Sequence, residues 1–335
     1  MRLASVWLVF AALFTTGPDP WSPQGFSHQA RGRKQTGLID GVRARAEQAL
    51  NVGQPADAAA LLQGMVLGDA SNLSKGVRDE FRRASLTHVV AASGQNISLM
   101  LGLALPLLAA MGLPKRSRVV LGAILVAFYV PLAGGEAPIR RAALMALVLL
   151  AGELRGNRAD AWHALGLAGA LTLLADRSAA ASLGWQLSFA AVAGMLALGR
   201  RLAERLHIWR VPQPLAEALA MTIAATAATT PLIAWRVGKL SLVAIPANLL
   251  AGPAVAPAMW LGMLASAAGQ ISQVLGYPFA WLASVPAAAV LQVVHVAASP
   301  GWASVDWRPP GLVAVATLAL ILVSGLVRVR SRVAA

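Results

Sequence analysis

The stretch Leu86-Thr87-His88-Val89-Val90-Ala91-Ala92-Ser93-Gly94-Gln95-Asn96-Ile97-Ser98-Leu99-Met100-Leu101-Gly102-Leu103-Ala104-Leu105-Pro106-Leu107-Leu108-Ala109-Ala110-Met111-Gly112 decides how the rest of the chain is read. It is lipid-soluble and longer than the roughly 20 residues a helix needs to cross a bilayer. Yet its first half carries Thr87, His88, Ser93, Gly94, Gln95 and Asn96. Polar side chains are expensive in hydrocarbon, and irregular backbone is tolerated there only when it is buried in protein or lines a water-filled path. A membrane helix with a functional polar interruption is therefore predicted.

Outward from this segment the composition agrees. The 335 residues are 57% hydrophobic and 13% charged, with a mean hydropathy of +0.64, a balance no soluble domain of this size keeps off its surface. Nine hydrophobic segments stand out, at 86–112, 119–133, 139–152, 161–175, 183–199, 215–235, 240–268, 274–298 and 310–327. The fold class expected is all-α: a polytopic transmembrane helical bundle of about nine to ten membrane segments, some broken or re-entrant. The connectors 114–118, 153–158 and 199–210 and the tail 328–332 carry most of the basic residues. Alternate threading puts all four on one side, which the positive-inside rule makes cytoplasmic. Much of the net charge of +14 is thus topology.

Three domains are expected: an N-terminal anchor with an extracytoplasmic or interfacial segment at 1–85, a transmembrane domain at 86–327 and a basic cytoplasmic tail at 328–335. The apolar run 3–14 reads as a weak anchor and also resembles a signal-peptide core. A Pro/Gly-rich break at 17–25 and a polar stretch through Asn51 follow. The patterns at 56–68 and 76–83 suggest short amphipathic helices on the membrane surface, with 17–85 outside if the first run spans.

Two segments are expected to depart from plain helix. The run 139–152 opens with Arg140 and Arg141 and is short, as in a half-span or re-entrant element. The run 240–268 contains Pro246, Asn248, Gly252, Pro253 and Pro257 and should kink or break near Asn248. Elsewhere Thr222, Thr226, Thr229 and Thr230 make a hydroxyl stripe on one helix face. Such threonines ordinarily bond back to their own helix or glue neighbouring helices, and otherwise line a path. Ser182 and Gln186 lie four residues apart beside Trp185 and Phe189, with Ser188 on another face. Arg141 at a span entrance snorkels to the interface or, held inward, offers a phosphate partner.

Several chemistries find no support. Cysteine is absent, so disulfides and thiolate metal sites cannot exist. The five histidines, His28, His88, His163, His207 and His295, show no metal-ligand spacing. There is no Walker loop, nucleophile elbow, dinucleotide fingerprint or carboxylate pair inside a span. No catalytic residue, metal or cofactor is expected, and the chain is read as not an enzyme.

The motifs resemble a known family. Leu67-Gly68-Asp69, Phe81-Arg82, the run from Leu86 to Asn96, Arg141-Ala142-Ala143-Leu144-Met145, the run from Ser182 to Phe189, Thr230-Pro231-Leu232 and Asn248-Leu249-Leu250-Ala251-Gly252-Pro253 resemble the signature of the ComEC competence proteins, which carry single-stranded DNA across the bacterial inner membrane. They occur in the family's order over about residues 61 to 260. Many members have Ser-Gly-Leu-His where this chain has Ser93-Gly94-Gln95-Asn96, and Ala137-Pro138 replaces the usual Pro-Ser before Arg141. Full-length members also tend to carry an OB-fold domain and a metallo-β-lactamase-like domain suspected of nuclease activity. The 335 residues have room for neither, so nuclease activity is not carried over.

The resemblance implies a multi-pass channel of the bacterial inner membrane that imports single-stranded DNA during natural transformation. Its implied partners are the DNA strand, the lipid bilayer, an extracytoplasmic DNA receptor, a cytoplasmic helicase-like motor and a separate metallo-β-lactamase-like nuclease. A strand carries one negative charge per nucleotide, so passage demands a wet, polar path with weak, multiple contacts. Candidates for that path are His88, Ser93, Gly94, Gln95, Asn96, Arg141, Gln186, Ser188, Thr226, Thr230 and Asn248, with Arg141 guiding phosphates near the outer mouth. Two alternatives stand beside it, a small-solute permease closing broken helices around a compact site and a truncated, non-conducting membrane scaffold.

Overall fold

A computed structural model describes residues 37–90, 94–135, 137–154 and 160–333. The apolar run 3–14, the break 17–25, His28 and Ser93 lie outside the described residues. The described part of the protein is all-α, with 82% of the described residues helical. In chain order the helices are α1 (Leu38–Asn51), α2 (Ala56–Leu67), α3 (Lys75–Arg83), the single turn α4 (Thr87–Val90), α5 (Gly94–Ala110), α6 (Lys115–Leu132), α7 (Ala137–Leu154) and α8 (Ala161–Ala175). There follow a 3-10 turn (Arg177–Ala181), α9 (Leu183–Gly194), a π turn (Met195–Gly199), α10 (Arg200–Ile208), α11 (Gln213–Val237), β1 (Lys239–Ser241), α12 (Ala244–Ala268), α13 (Gln273–Ala298), β2 (Ser304–Asp306) and α14 (Gly311–Val333). Three of these helices, α11, α12 and α13, are long and apolar enough to cross a membrane, and α2, α5, α8 and the first half of α14 are shorter apolar helices.

The described residues form two compact units. The first draws on the described residues within 160–249 and 304–333, the second on those within 37–154 and 250–303. In the first unit α11 is the central helix, packed by α9, α10 and α14. Its buried Ala216, Ala220, Ala224 and Ala228 recur every fourth residue and form one smooth face. Gly194 meets that face so closely that a Cβ on it would lie 2.5 Å from Ala228 Cβ and 2.7 Å from Ala224 O. Small residues thus set the helix spacing, as is usual where lipid removes the hydrophobic drive between helices. The helix starts follow the same local logic. Asp160 accepts the Trp162 amide at 3.1 Å and Ser182 the Trp185 amide at 3.2 Å, relieving orphan donors that lipid cannot satisfy. β1 and β2 pair antiparallel, Lys239 opposite Asp306. The expected connector at 199–210 is largely helix: α9 runs on through the π turn into α10.

In the second unit α5, α6 and α7 pack on one another, and α13 lies along α1, α2 and α3. Here several expectations need correction. Helices do form near 56–68 and 76–83, but α2 is no surface helix, since every residue from Ala58 to Leu67 is buried. It has apolar side chains all round and neighbours on every side, which is the condition of a core helix. The polar stretch up to Asn51 contains α1, whose Ala46, Ala49 and Leu50 face the core. The 139–152 run lies in an uninterrupted 18-residue helix, α7. Nor is there a break near Asn248, because α12 is continuous over 25 residues. Pro246 stands in its first turn, where an amide has no helical acceptor to lose.

Helix α1 also bears on the count of crossings. Val42 O accepts from Gln270 Nε2 at 3.0 Å, just beyond α12, while Arg43 Nη1 donates to Leu132 O at 3.1 Å, the last residue of α6. Val42 and Arg43 are adjacent, so the C-terminal ends of α6 and α12 are both held by neighbouring residues of α1, one through its carbonyl and one through its guanidinium. Nine full crossings in strict alternation would set those ends on opposite sides of about 30 Å of hydrocarbon. That alternation does not describe this unit.

Candidate functional site

In the second unit the site is built around the C-terminus of α2. A helix leaves its last four carbonyls without partners inside the helix, and burying them unpaired costs about 1–3 kcal/mol each. The chain turns at Gly68, whose φ of +73° suits a residue without a Cβ, and the Gly68 amide donates to Gly64 O at 3.0 Å. The next two carbonyls take side-chain donors. Asn96 Nδ2 donates to Met65 O at 2.7 Å and Tyr129 Oη donates to Val66 O at 2.7 Å, with the amide 3.5 Å from the phenol oxygen. Asn96, 4% exposed, is therefore a buried cap on the end of α2. Asp69, directly after the turn, sits 3.7 Å from Arg43 Nη2, and the Arg43 Nε lies 3.0 Å from Glu47.

The polar interruption packs around this cap. Gly64 lets α4 approach so closely that a Cβ there would lie 2.8 Å from Val90 O. Gly94 opens α5 against α7, where a Cβ would lie 3.1 Å from Ala142 Cβ, beside Arg141. Arg141 is 2% exposed. Its side chain is held inward and does not snorkel to an open surface. His88 and Gln95 are exposed. The structure thus brings Gly94, Asn96 and Arg141 into one packed region and leaves His88 and Gln95 on its surface.

The first unit holds the other candidates. Gln186 is fully buried, and its Nε2 donates to Ala180 O at 3.0 Å, closing the 3-10 turn. Trp185 and Phe189 stack beside it at 4.2 Å, and the Trp185 indole N–H reaches Thr172 Oγ1 at 3.1 Å. The structure therefore places this glutamine inside the packing of the first unit. Thr226 and Thr230 share one half-buried face of α11, two positions from Ala224 and Ala228 and so turned roughly 200° away from the α9 contact. Thr222 and Thr229 bond back to Ala218 O and Ala225 O, both at 2.9 Å. Ser188 is half-buried. Asn248, also half-buried, donates to Ala244 O at 2.8 Å within its own helix.

Sequence reasoning missed Tyr129 and Arg43. One of only two tyrosines in the chain, placed in an apolar run, was the available signal: a phenol at depth finds an acceptor. Also missed was a cluster at the ribbon end of the first unit, where Arg236, Lys239, Trp307 and Arg308 meet. Arg236 Nη2 donates to Ala181 O at 3.2 Å, Arg308 Nη2 to Arg236 O at 3.4 Å, and the Trp307 amide to Gly238 O at 3.0 Å. Among the described residues no group of three or more His, Asp or Glu side chains is placed to hold a metal ion.

The family model described as "Competence protein" matches residues 65–332, from the capped end of α2 into the last turn of α14. The chain belongs to the ComEC competence family. Among curated relatives it is 25% identical over 199 residues to ComE operon protein 3 of Bacillus subtilis (strain 168), covering 59% of this chain and 25% of that protein. It is 35% identical over 148 residues to Competence protein ComA of Neisseria gonorrhoeae, covering 42% of this chain and 21% of that one. The matches thus span about a quarter or less of each relative's length. No solved structure matches the chain. With three membrane-length apolar helices, this competence family member is a membrane protein. The family match begins at 65, so the cap at Met65 and Val66 belongs to the same unit of descent as the helices after Leu86.

Proposed function

We propose that this chain is the membrane-embedded part of a DNA-uptake system, a multi-pass protein of the bacterial inner membrane through which single-stranded DNA enters the cell. The family match over residues 65–332 carries the reading. In this reading the chain is a conduit rather than a catalyst, and it works with an outer receptor, a helicase-like motor and a strand-processing nuclease. A strand's phosphates need a hydrated path with weak contacts. The side chains offered for that purpose are His88, Gln95, Ser188, Thr226, Thr230 and Asn248, each exposed or half-buried. The permease reading needed a broken helix closing on a compact site, and the continuity of α12 removes that support.

The test is genetic. Deletion of the gene from a transformable host should abolish entry of labelled DNA into the cytoplasm while leaving surface binding intact. Normal uptake by the deletion strain would overturn the reading.

A further inference from the structure

The ribbon end of the first unit collects four cationic side chains from stretches far apart in sequence. Arg177 lies in the 3-10 turn, Arg236 ends α11, Lys239 is in β1 and Arg308 follows β2. Hydrogen bonds tie the three stretches to one another: Arg236 donates to the turn's Ala181 O at 3.2 Å and Arg308 to Arg236 O at 3.4 Å, while Arg177 lies in that same turn and Lys239 follows Arg236 by three residues. Two carboxylates share this end. Asp176 is engaged by the Ser178 amide and hydroxyl at 2.9 and 2.6 Å, and Asp306 stands opposite Lys239 in the ribbon. Four cations and two anions leave a net charge of +2 on a small surface. Beside them Trp307 is 54% exposed, and Arg236 lies 5.6 Å from the centre of the Trp235 ring.

Topology does not call for these charges. The opposite end of the same unit bears Arg200, Arg201, Arg205 and Arg210, and the last turns of α14 add Arg328, Arg330 and Arg332 in the sequence there, so the positive-inside rule makes that end cytoplasmic. The ribbon therefore faces outward, where lysine and arginine are ordinarily scarce. An interfacial aromatic belt accounts for a tryptophan at this level but not for four gathered cations. Cations that track a phosphate backbone next to an exposed aromatic ring are the arrangement that holds a single strand irrespective of sequence. We infer that this ribbon end is a landing surface for the sugar–phosphate backbone of single-stranded DNA on the extracytoplasmic side, with Trp307 as its stacking platform. The inference rests on the DNA-uptake reading and gives it an entry surface.

The experiment uses the full chain in nanodiscs, made with zwitterionic lipid alone or with added phosphatidylglycerol, and a fluorescent oligo(dT) titrated at several salt concentrations. Each backbone contact removed should lower the slope of log K against log[salt] by about 0.7. The neutralised pair Arg177→Gln/Lys239→Gln, which leaves the Arg236 and Arg308 hydrogen bonds in place, should thus lose about 1.4 in slope and about tenfold in affinity at low salt. Trp307→Ala should weaken binding with the slope unchanged, and Asp306→Asn should tighten it. Arg201→Glu/Arg205→Glu, at the other end, should bind as wild type does. The inference is overturned if the neutralised pair binds like wild type, if wild type binds no oligo(dT), or if the charge changes act only when phosphatidylglycerol is present, which would assign the surface to lipid. Loss of DNA uptake on gene deletion alongside unchanged oligo(dT) binding by the neutralised pair would sink this surface and leave the uptake reading standing.

Discussion

Tyr129 and Asn96 show how a polar side chain at membrane depth is used for structure. Each donates to a carbonyl at the buried end of α2 at 2.7 Å. The sequence pattern flags Asn96 as polar where lipid is expected but does not tell a path from a cap, because that depends on which carbonyl lies across from it. The two readings separate by experiment. Removing one donor strands a buried carbonyl, at a cost of about 1–3 kcal/mol. Tyr129→Phe, which keeps the ring and its packing, should lower the thermal unfolding midpoint of the detergent-solubilised protein by several degrees, with Asn96→Leu doing the same. Thr222→Val, at a hydroxyl that bonds only its own helix, should change stability by less than about 0.5 kcal/mol. A Tyr129→Phe protein as stable as wild type would show that the hydroxyl is no cap.

At the level of elements, helix positions were legible and helix environments were not. The segments expected at 161–175, 215–235 and 274–298 match α8, α11 and α13 within two residues at each end, because length and continuous apolarity suffice to mark a membrane helix. Burial of α2 was hidden: Ala58-Ala59-Ala60-Leu61-Leu62 with Met65-Val66-Leu67 is as compatible with lipid contact as with a protein core. Continuity of α12 was hidden for another reason: Pro246 falls in the first turn where no bond is lost, and the helix runs on through Pro253 and Pro257 although each removes a donor from its interior. The glycines record which faces are shared. At Gly194 an added methyl meets Ala228 Cβ at 2.5 Å and the Ala224 backbone at 2.7 Å, whereas at Gly252 nothing lies within 4 Å. Gly194→Ala should therefore push α9 off α11 and cost about 1–3 kcal/mol, while Gly252→Ala should be neutral or gain up to about 1 kcal/mol of helix propensity. Both are read from unfolding in the same detergent. Equal effects at the two sites would refute the close α9–α11 contact.

For the whole molecule, family membership was readable from ordered motifs and a membrane location from composition, but the path of the chain through the bilayer was not. Threading from hydropathy assumes that each apolar run crosses completely and that residues before 86 stay on one surface. α1 violates that assumption by holding Leu132 and Gln270 from adjacent residues, a long-range link that no local pattern encodes. The chain has no cysteine, so single cysteines can be introduced without background. Leu132→Cys and Ile271→Cys each stand at one of the linked ends, and Ile271 is 81% exposed. In intact cells a membrane-impermeant maleimide should treat the two alike, labelling both or neither, since both ends sit at one depth. Strict alternation requires one to be labelled from outside and the other only after permeabilisation. That split result would mean α1 does not clasp the two helix ends in the membrane, and the packing described for the second unit would fall with it.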